Sequence, residues 1–195
     1  MRIISGSRRG HKLIEFEGDS VRPTTDRVKE SIFNLIQEYV PESVCLDMFA
    51  GSGALSFEAI SRGAKRAVLL DKDKRSVDII RKNAASLDFE EQCEIRNEDC
   101  FIYAQKAGES FDIIFLDPPY NKNLIEPVLD TIVDKGLLQD GGVVVLESDD
   151  TDFSGEKEGL SVLKQRKYGR TYITVYQKAG KQEKTDESSS LSGQL

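Results

Sequence analysis

Four consecutive residues, Asp117-Pro118-Pro119-Tyr120, carry the sharpest chemical signal in the chain. They follow Phe111-Asp112-Ile113-Ile114-Phe115-Leu116, a run with the low polar content of a buried strand. Adjacent prolines cannot continue a strand, so a rigid loop is expected directly after it. The residue types suit an exocyclic amine on a nucleic-acid base. Such an amine is a poor nucleophile, because its lone pair is delocalised into the ring. The Asp117 carboxylate and the Pro118 carbonyl, held at fixed spacing by Pro118 and Pro119, would accept its two protons and draw the nitrogen toward tetrahedral geometry. Tyr120 offers a ring for an extruded base, and stacking of that kind is worth about 1–3 kcal/mol. In-line positioning of the amine against a methyl donor would supply the remaining acceleration. The plain alternative is a structural turn.

A second constellation points to the donor. Asp47-Met48-Phe49-Ala50-Gly51-Ser52-Gly53-Ala54-Leu55 joins an apolar strand to a helix. Its glycines permit a tight turn and close approach of the backbone to a ligand. A dinucleotide fingerprint would need glycine at the third position, where Ser56 stands. The aspartate before the loop would repel a pyrophosphate but suits an ammonium, which S-adenosylmethionine carries beside its sulfonium. Asp47, Phe49, Ala50, Gly51, Ser52 and Gly53 are therefore candidate cofactor contacts, and Asp117 is a candidate on the cofactor side as well as at the base. Asp71-Lys72-Asp73 closes the next strand about 20 residues past the glycines, where an acid accepts from ribose hydroxyls. Asp71 is the candidate, flanked by Lys72, with Asp73 as substitute or helix cap. Asp99, with Cys100 beside it, closes the third strand and is placed to accept from an adenine amino group. Helix capping is the competing reading at these strand ends.

The elements that must position these residues alternate. Strands are expected at 43–48, 66–70, 93–96, 111–116 and 142–147, with helices at 54–62, 74–86, 101–106 and 124–134. A final strand pair at 160–167 and 171–177 turns around Gly169. Before them, 2–5 and 11–16 read as two short strands across a glycine-bounded loop. Apolar residues at Val28, Ile32, Leu35, Ile36, Tyr39 and Val40 then give a helix over about 25–39. Strands apolar on both faces and alternating with helices imply a doubly wound α/β fold. A mostly parallel sheet of seven strands, one antiparallel, is expected, binding its ligand at the carboxyl ends of the strands. One domain over 1–178 is expected, with an N-terminal hairpin and helix at 1–41, a cofactor-binding core at 42–178, and a polar disordered tail at 179–195.

Composition bounds the function. The 195 residues are 38% hydrophobic and 31% charged, as in soluble globular chains. No apolar run approaches the ~20 residues that span a membrane. No apolar stretch of a secretory leader follows Met1, so a cytoplasmic protein is expected. Cys45, Cys93 and Cys100 show no CxxC spacing and read as reduced thiols. The single histidine, His11, argues against a histidine-based metal centre and a Ser-His-Asp hydrolase, and no metal is expected. The net charge of −7 does not itself suggest a nucleic-acid partner. Yet Arg2, Arg8, Arg9 and Lys12 lie in an acid-free stretch, and Lys164, Arg166, Lys167 and Arg170 form a second basic cluster. Local basic stripes can hold phosphates on an acidic protein.

Taken together, D-x-F-A-G-S-G, the acidic strand end and D-P-P-Y resemble the class I amino-methyltransferases. A fuller match is to the bacterial small-subunit ribosomal RNA guanine-N2 methyltransferase family. Met1 to Gly6 with Arg8 to Lys12, Arg22-Pro23-Thr24-Thr25-Asp26-Arg27-Val28-Lys29-Glu30, and Tyr168-Gly169 carry it, over residues 1 to about 178. The resemblance implies methylation of N2 of one guanine in 16S ribosomal RNA during small-subunit assembly. It implies that Arg22 to Arg27, Thr25 included, packs over the cofactor site and that the basic hairpin meets RNA, giving Arg8, Arg9, Lys12, Arg22 and Arg27 as RNA contacts. The chain departs from the family pattern at Ser56, commonly glycine, and at Asp71, usually glutamate. A DNA adenine-N6 or cytosine-N4 methyltransferase would use the same tetrapeptide, but such enzymes carry a separate recognition region and no spare ~80 residues exist here. A non-catalytic RNA-binding assembly factor on the same fold would share the basic hairpin, and a nicotinamide oxidoreductase would share the glycine loop. The intact Asp117 and glycine loop weigh against the former, and Ser56 with D-P-P-Y against the latter.

Overall fold

The computed structural model describes residues 1–16, 25–119, 122–149 and 157–179. Seven strands form one sheet: β1 Val44–Asp47, β2 Arg66–Asp71, β3 Cys93–Asn97, β4 Phe111–Leu116, β5 Leu138–Ser148, β6 Leu160–Tyr168 and β7 Thr171–Lys178. Their order is β3-β2-β1-β4-β5-β7-β6. The first five strands run parallel, and β7 is antiparallel to both its neighbours. The expected single reversed strand is therefore β7. The helices are α1 Asp26–Leu35, α2 Ala54–Ser61, α3 Lys74–Leu87, α4 Cys100–Lys106 and α5 Ile125–Asp134.

Alternation along the strands divides the core in two. Cys45, Leu69, Ile113, Phe115 and Val145 face α1, α2 and α3. Leu46, Val68, Leu70, Ile114 and Leu116 face α4 and α5. Both faces are covered, which is why these strands read as apolar runs. Ile3 and Leu13 of the N-terminal segment belong to the same core as the sheet. That segment lies over α2, whose eight residues are all buried, Ser56 and Glu58 included.

The structure corrects several expected boundaries. The two N-terminal strands reduce to one bridge, Arg2 with Lys12. It is supported by bonds from Ile3 N to His11 O at 2.9 Å and Leu13 N to Met1 O at 3.0 Å. The neighbouring backbone groups bond instead to side chains of α2 and α3, so no longer ladder forms. Helix α1 ends at Leu35, and a 3₁₀ turn at Gln37–Tyr39 replaces its last expected turn. β5 begins at Leu138 because an irregular register opposite Phe111 to Ile113 lets Gly141 and Gly142 remain in the strand. The tail from 180 to 195 lies outside the described residues.

Candidate cofactor and base site

The strand order reverses between β1 and β4, and such a switch point opens a crevice beyond the carboxyl ends of the strands. The register gathers the motif residues there. Asp47 pairs across to Leu69 and Phe115, and Asp71 to Asn97. Asp117 follows Leu116, the last residue of β4. Three acids distant in sequence thus share one edge of the sheet.

Asp47 is 2% exposed. Its Oδ2 accepts the Ser56 hydroxyl at 3.0 Å, while its Oδ1 is buried and has no hydrogen-bond partner among the described residues. Burial pushes its pKa up to about 7; the Ser56 bond and the nearby Phe49 amide oppose that rise, and the charges of Asp117 and Asp71 add to it. A buried carboxylate oxygen without a donor is unfavourable unless a cation or donor reaches it. Beside it, Gly51 has a φ of +57°, and a Cβ there would meet nothing within 4 Å. Gly53 is constrained differently: a Cβ would come within 2.3 Å of the Phe57 ring, at a φ of +81°. The loop is fastened on several sides. Gly51 N donates to Asp71 Oδ2 at 3.0 Å, Ala50 N to Leu70 O at 2.9 Å, and Gly53 N to Ala50 O at 2.7 Å. An open glycine face beside an unpaired buried carboxylate fits a small ligand carrying an ammonium, as the methionine portion of S-adenosylmethionine does.

The remaining cofactor candidates divide by what they already hold. Asp71 accepts from Gly51 with one oxygen and from Asp73 N at 2.8 Å with the other. It fastens the loop, and although the Ser76 hydroxyl also bears on it, the carboxylate keeps acceptor capacity for a further hydroxyl. Burial raises its pKa, with the Asp73 and Gly51 amides opposing. Asp73 caps α3 by accepting from Arg75 N at 2.8 Å, and Lys72 is exposed. Asp99 caps α4 through Phe101 N at 2.9 Å. Cys100 is buried, and burial pushes its thiol up to about 12. Phe49 and Ser52 are half-buried, as are Asp117 and Pro118, and Pro119 is exposed. Tyr120 lies outside the described residues. Thr25 is exposed and caps α1, its hydroxyl accepting from Val28 N at 3.3 Å.

Of the expected RNA contacts, Arg9, Lys12 and Arg27 are exposed, and Arg22 lies outside the described residues. Arg8 is drawn inward. Its Nε donates to Leu87 O at 2.7 Å, its Nη2 pairs with Asp88 at 3.2 Å, and its guanidinium lies 5.5 Å from the Phe89 ring centre. It caps the end of α3 while Arg9 faces outward. In the second basic cluster, Lys164 donates to Leu35 O at 2.8 Å and Lys167 lies over the Tyr172 ring.

Three buried polar residues escaped the sequence reading. Glu58 accepts from Ile4 N at 2.8 Å, Ser5 N at 3.0 Å and Arg62 Nε at 2.7 Å, and pairs with Lys29 at 3.3 Å. Lys29 and Glu58 are both fully buried. Burial lowers the Lys29 pKa against the opposing pull of Glu58. The only sequence signal for this hub is the Glu58/Arg62 spacing of one helical turn. Asn83 of α3 is also fully buried and bonds the loop at Ser52. Among the described residues no group of three potential ligands could hold a metal ion, and no helix is long and apolar enough to cross a membrane. A shallow polar cleft lined by Tyr39, Glu42, Asp112 and Asp140 lies at the opposite end of the sheet and holds none of the motif residues.

A seven-stranded sheet in this order, with a glycine loop after β1 and acids at the following strand ends, is the class I methyltransferase fold. The solved structure of yhhF from Escherichia coli superposes with a TM-score of 0.82 at 32% identity, covering 91% of this chain and 97% of that one. A Thermus thermophilus protein, TTHA0928, gives 0.77 at 29% identity, covering 91% and 99%. The chain belongs to the family described as "Conserved hypothetical protein 95", which matches residues 1–177. Among its relatives is Ribosomal RNA small subunit methyltransferase D of Haemophilus influenzae, 36% identical over 180 residues, 91% of this chain and 93% of the relative. The protein of the same name from Escherichia coli K12 is 37% identical over 149 residues, 76% and 75% of the two chains. This is the methyltransferase family that the motifs resemble.

Proposed function

We propose that this protein transfers a methyl group from S-adenosylmethionine to N2 of a guanine in small-subunit ribosomal RNA, within the assembling subunit in the cytoplasm. One observation carries the reading: the buried, unpaired Asp47 oxygen beside the open Gly51 face, with Asp117-Pro118-Pro119 across the switch point. The relatives named for small-subunit RNA methylation support the substrate class.

The cofactor supplies a methyl group on a sulfonium, activated for displacement. Asp47 holds the ammonium of its methionine portion, and the loop from Phe49 to Gly53 lines that portion with backbone. Asp71 accepts from the ribose hydroxyls, and Asp99 and Cys100 border the adenine. Thr25, at the start of α1, borders the site. At the target, Asp117 accepts one proton of the guanine N2 amine in a hydrogen bond and the Pro118 carbonyl accepts the other. The lone pair then points along the line of attack. The bound sulfonium would supply the methyl group to that lone pair, and Asp117 would take the proton that the nitrogen sheds. Pro119 stiffens the loop, and Tyr120 stacks on the extruded base. Arg9, Lys12, Arg22 and Arg27 meet RNA phosphates.

Asp117→Ala tests the assignment. Transfer should fall on the order of 100-fold or more, as when a preorganised polar group is removed from a reacting centre. Cofactor affinity, measured by calorimetry, should stay nearly unchanged. Wild-type turnover in that variant would contradict the mechanism.

A further inference from the structure

Asn83 stands on α3 with its side chain wholly buried, yet every hydrogen bond shown for that side chain leaves the helix. Its Oδ1 accepts from Ile14 N at 2.8 Å, and its Nδ2 donates to Ile14 O and to Ser52 O, each at 3.0 Å. Donors and acceptors admit one orientation of the amide, since the reverse would set Nδ2 against a backbone N–H and Oδ1 against two carbonyls. By pairing both backbone groups of Ile14, this amide replaces a neighbouring strand. The third bond reaches the carbonyl between Gly51 and Gly53. One side chain therefore ties the tip of the glycine loop to the N-terminal segment. The residue it grips has an exposed apolar side chain, Ile14 being 47% exposed, and stands two positions past the exposed Lys12.

We infer that Asn83 is a positioning residue that joins the glycine loop to the N-terminal segment, so that filling the loop orders residues 12–16 for the RNA. Gly51 has open space about it where a Cβ would stand, so a ligand seated there bears on the carbonyl of the next residue, Ser52. Ser52 O is the one loop carbonyl that Asn83 holds, and any shift there is passed through a single rigid amide to Ile14. Order gained at one end thus lowers the ordering cost of binding at the other. The inference takes the identity of the loop's ligand from the function proposed above.

Hydrogen exchange of the full chain, with and without S-adenosylhomocysteine, tests it. This demethylated product keeps the amino-acid, ribose and adenine groups of the cofactor and has no methyl to transfer. In the wild type, the ligand should slow exchange at 49–53 and also at 12–16. Asn83→Asp keeps an acceptor for Ile14 N but loses the two-proton donor. It should leave the ligand effect at 49–53 and abolish that at 12–16. Asn83→Leu, which removes all three bonds, should do the same if the aspartate variant folds poorly. A role confined to stability would change basal exchange, not the ligand-dependent difference. Slowing at 49–53 alone in the wild type, or a response at 12–16 that persists in both variants, overturns the inference and leaves the proposed function standing. No slowing at 49–53 in the wild type overturns the cofactor assignment and this inference with it.

Discussion

Asp47 keeps its two carboxylate oxygens in different states, one bonded to Ser56 and one with no partner among the described residues. Its pKa of about 7 lies above its ordinary value of 3.8. Between those values the folded protein holds a proton that the unfolded chain has lost. Stability without cofactor should therefore fall as pH rises from about 4 to about 7, and Asp47→Asn should flatten that slope in urea titrations. Cofactor binding carries the opposite sign. An ammonium needs the ionised carboxylate, so affinity should rise by up to about tenfold per pH unit between pH 5 and 7 and then level. Calorimetry at several pH values checks this, and an affinity independent of pH in that window would remove Asp47 from the ammonium site. The sequence made Asp47 visible as the acid before a glycine loop. It did not show why serine occupies position 56, because the bond to Asp47 exists only once α2 has turned back over β1.

The core strands were legible because burial on both faces leaves an unbroken apolar run, and their ends carried the acids with them. The N-terminal strands were misread for a physical reason. Their backbone partners are Glu58, Ser61 and Asn83, some 53 to 69 residues away, and no local period records them. Helix α2 hid its role likewise, since a helix covered on all sides has no solvated face to give it a pattern. Glu58 joins α1, α2 and the N-terminal segment. Removing one member of a buried ion pair leaves an uncompensated charge, so Glu58→Ala should lower stability by about 3–5 kcal/mol. Urea unfolding measures it, and a loss below about 0.5 kcal/mol, the range of ordinary surface changes, would show that the hub is not structural. Gly6 is a second fastening. It sits at a φ of +86°, and a Cβ would fall 1.7 Å from the Ser61 carbonyl oxygen. Gly6→Ala should cost about 1–3 kcal/mol by overpacking and strain, read in the same titration.

An acidic molecule of net charge −7 must meet RNA through a local surface. The structure separates two arginines that the sequence set side by side. Arg8 is bound to the end of α3 and Arg9 is exposed. Arg9→Ala and Lys12→Ala should each weaken RNA binding at every sequence and reduce the salt slope by about one. Arg8→Ala should instead lower thermal stability, with a smaller effect on the slope. Equal slopes in all three variants would move the RNA surface elsewhere. The most direct test of the whole account is transfer of a labelled methyl group from S-adenosylmethionine to small ribosomal subunits that lack the modification, followed by mass mapping of the nucleosides. The account predicts N2-methylguanosine at a single position of the small-subunit RNA, and none with Asp117→Ala. Label on another base or on DNA, or cofactor binding with no transfer to subunits or free RNA, would contradict it.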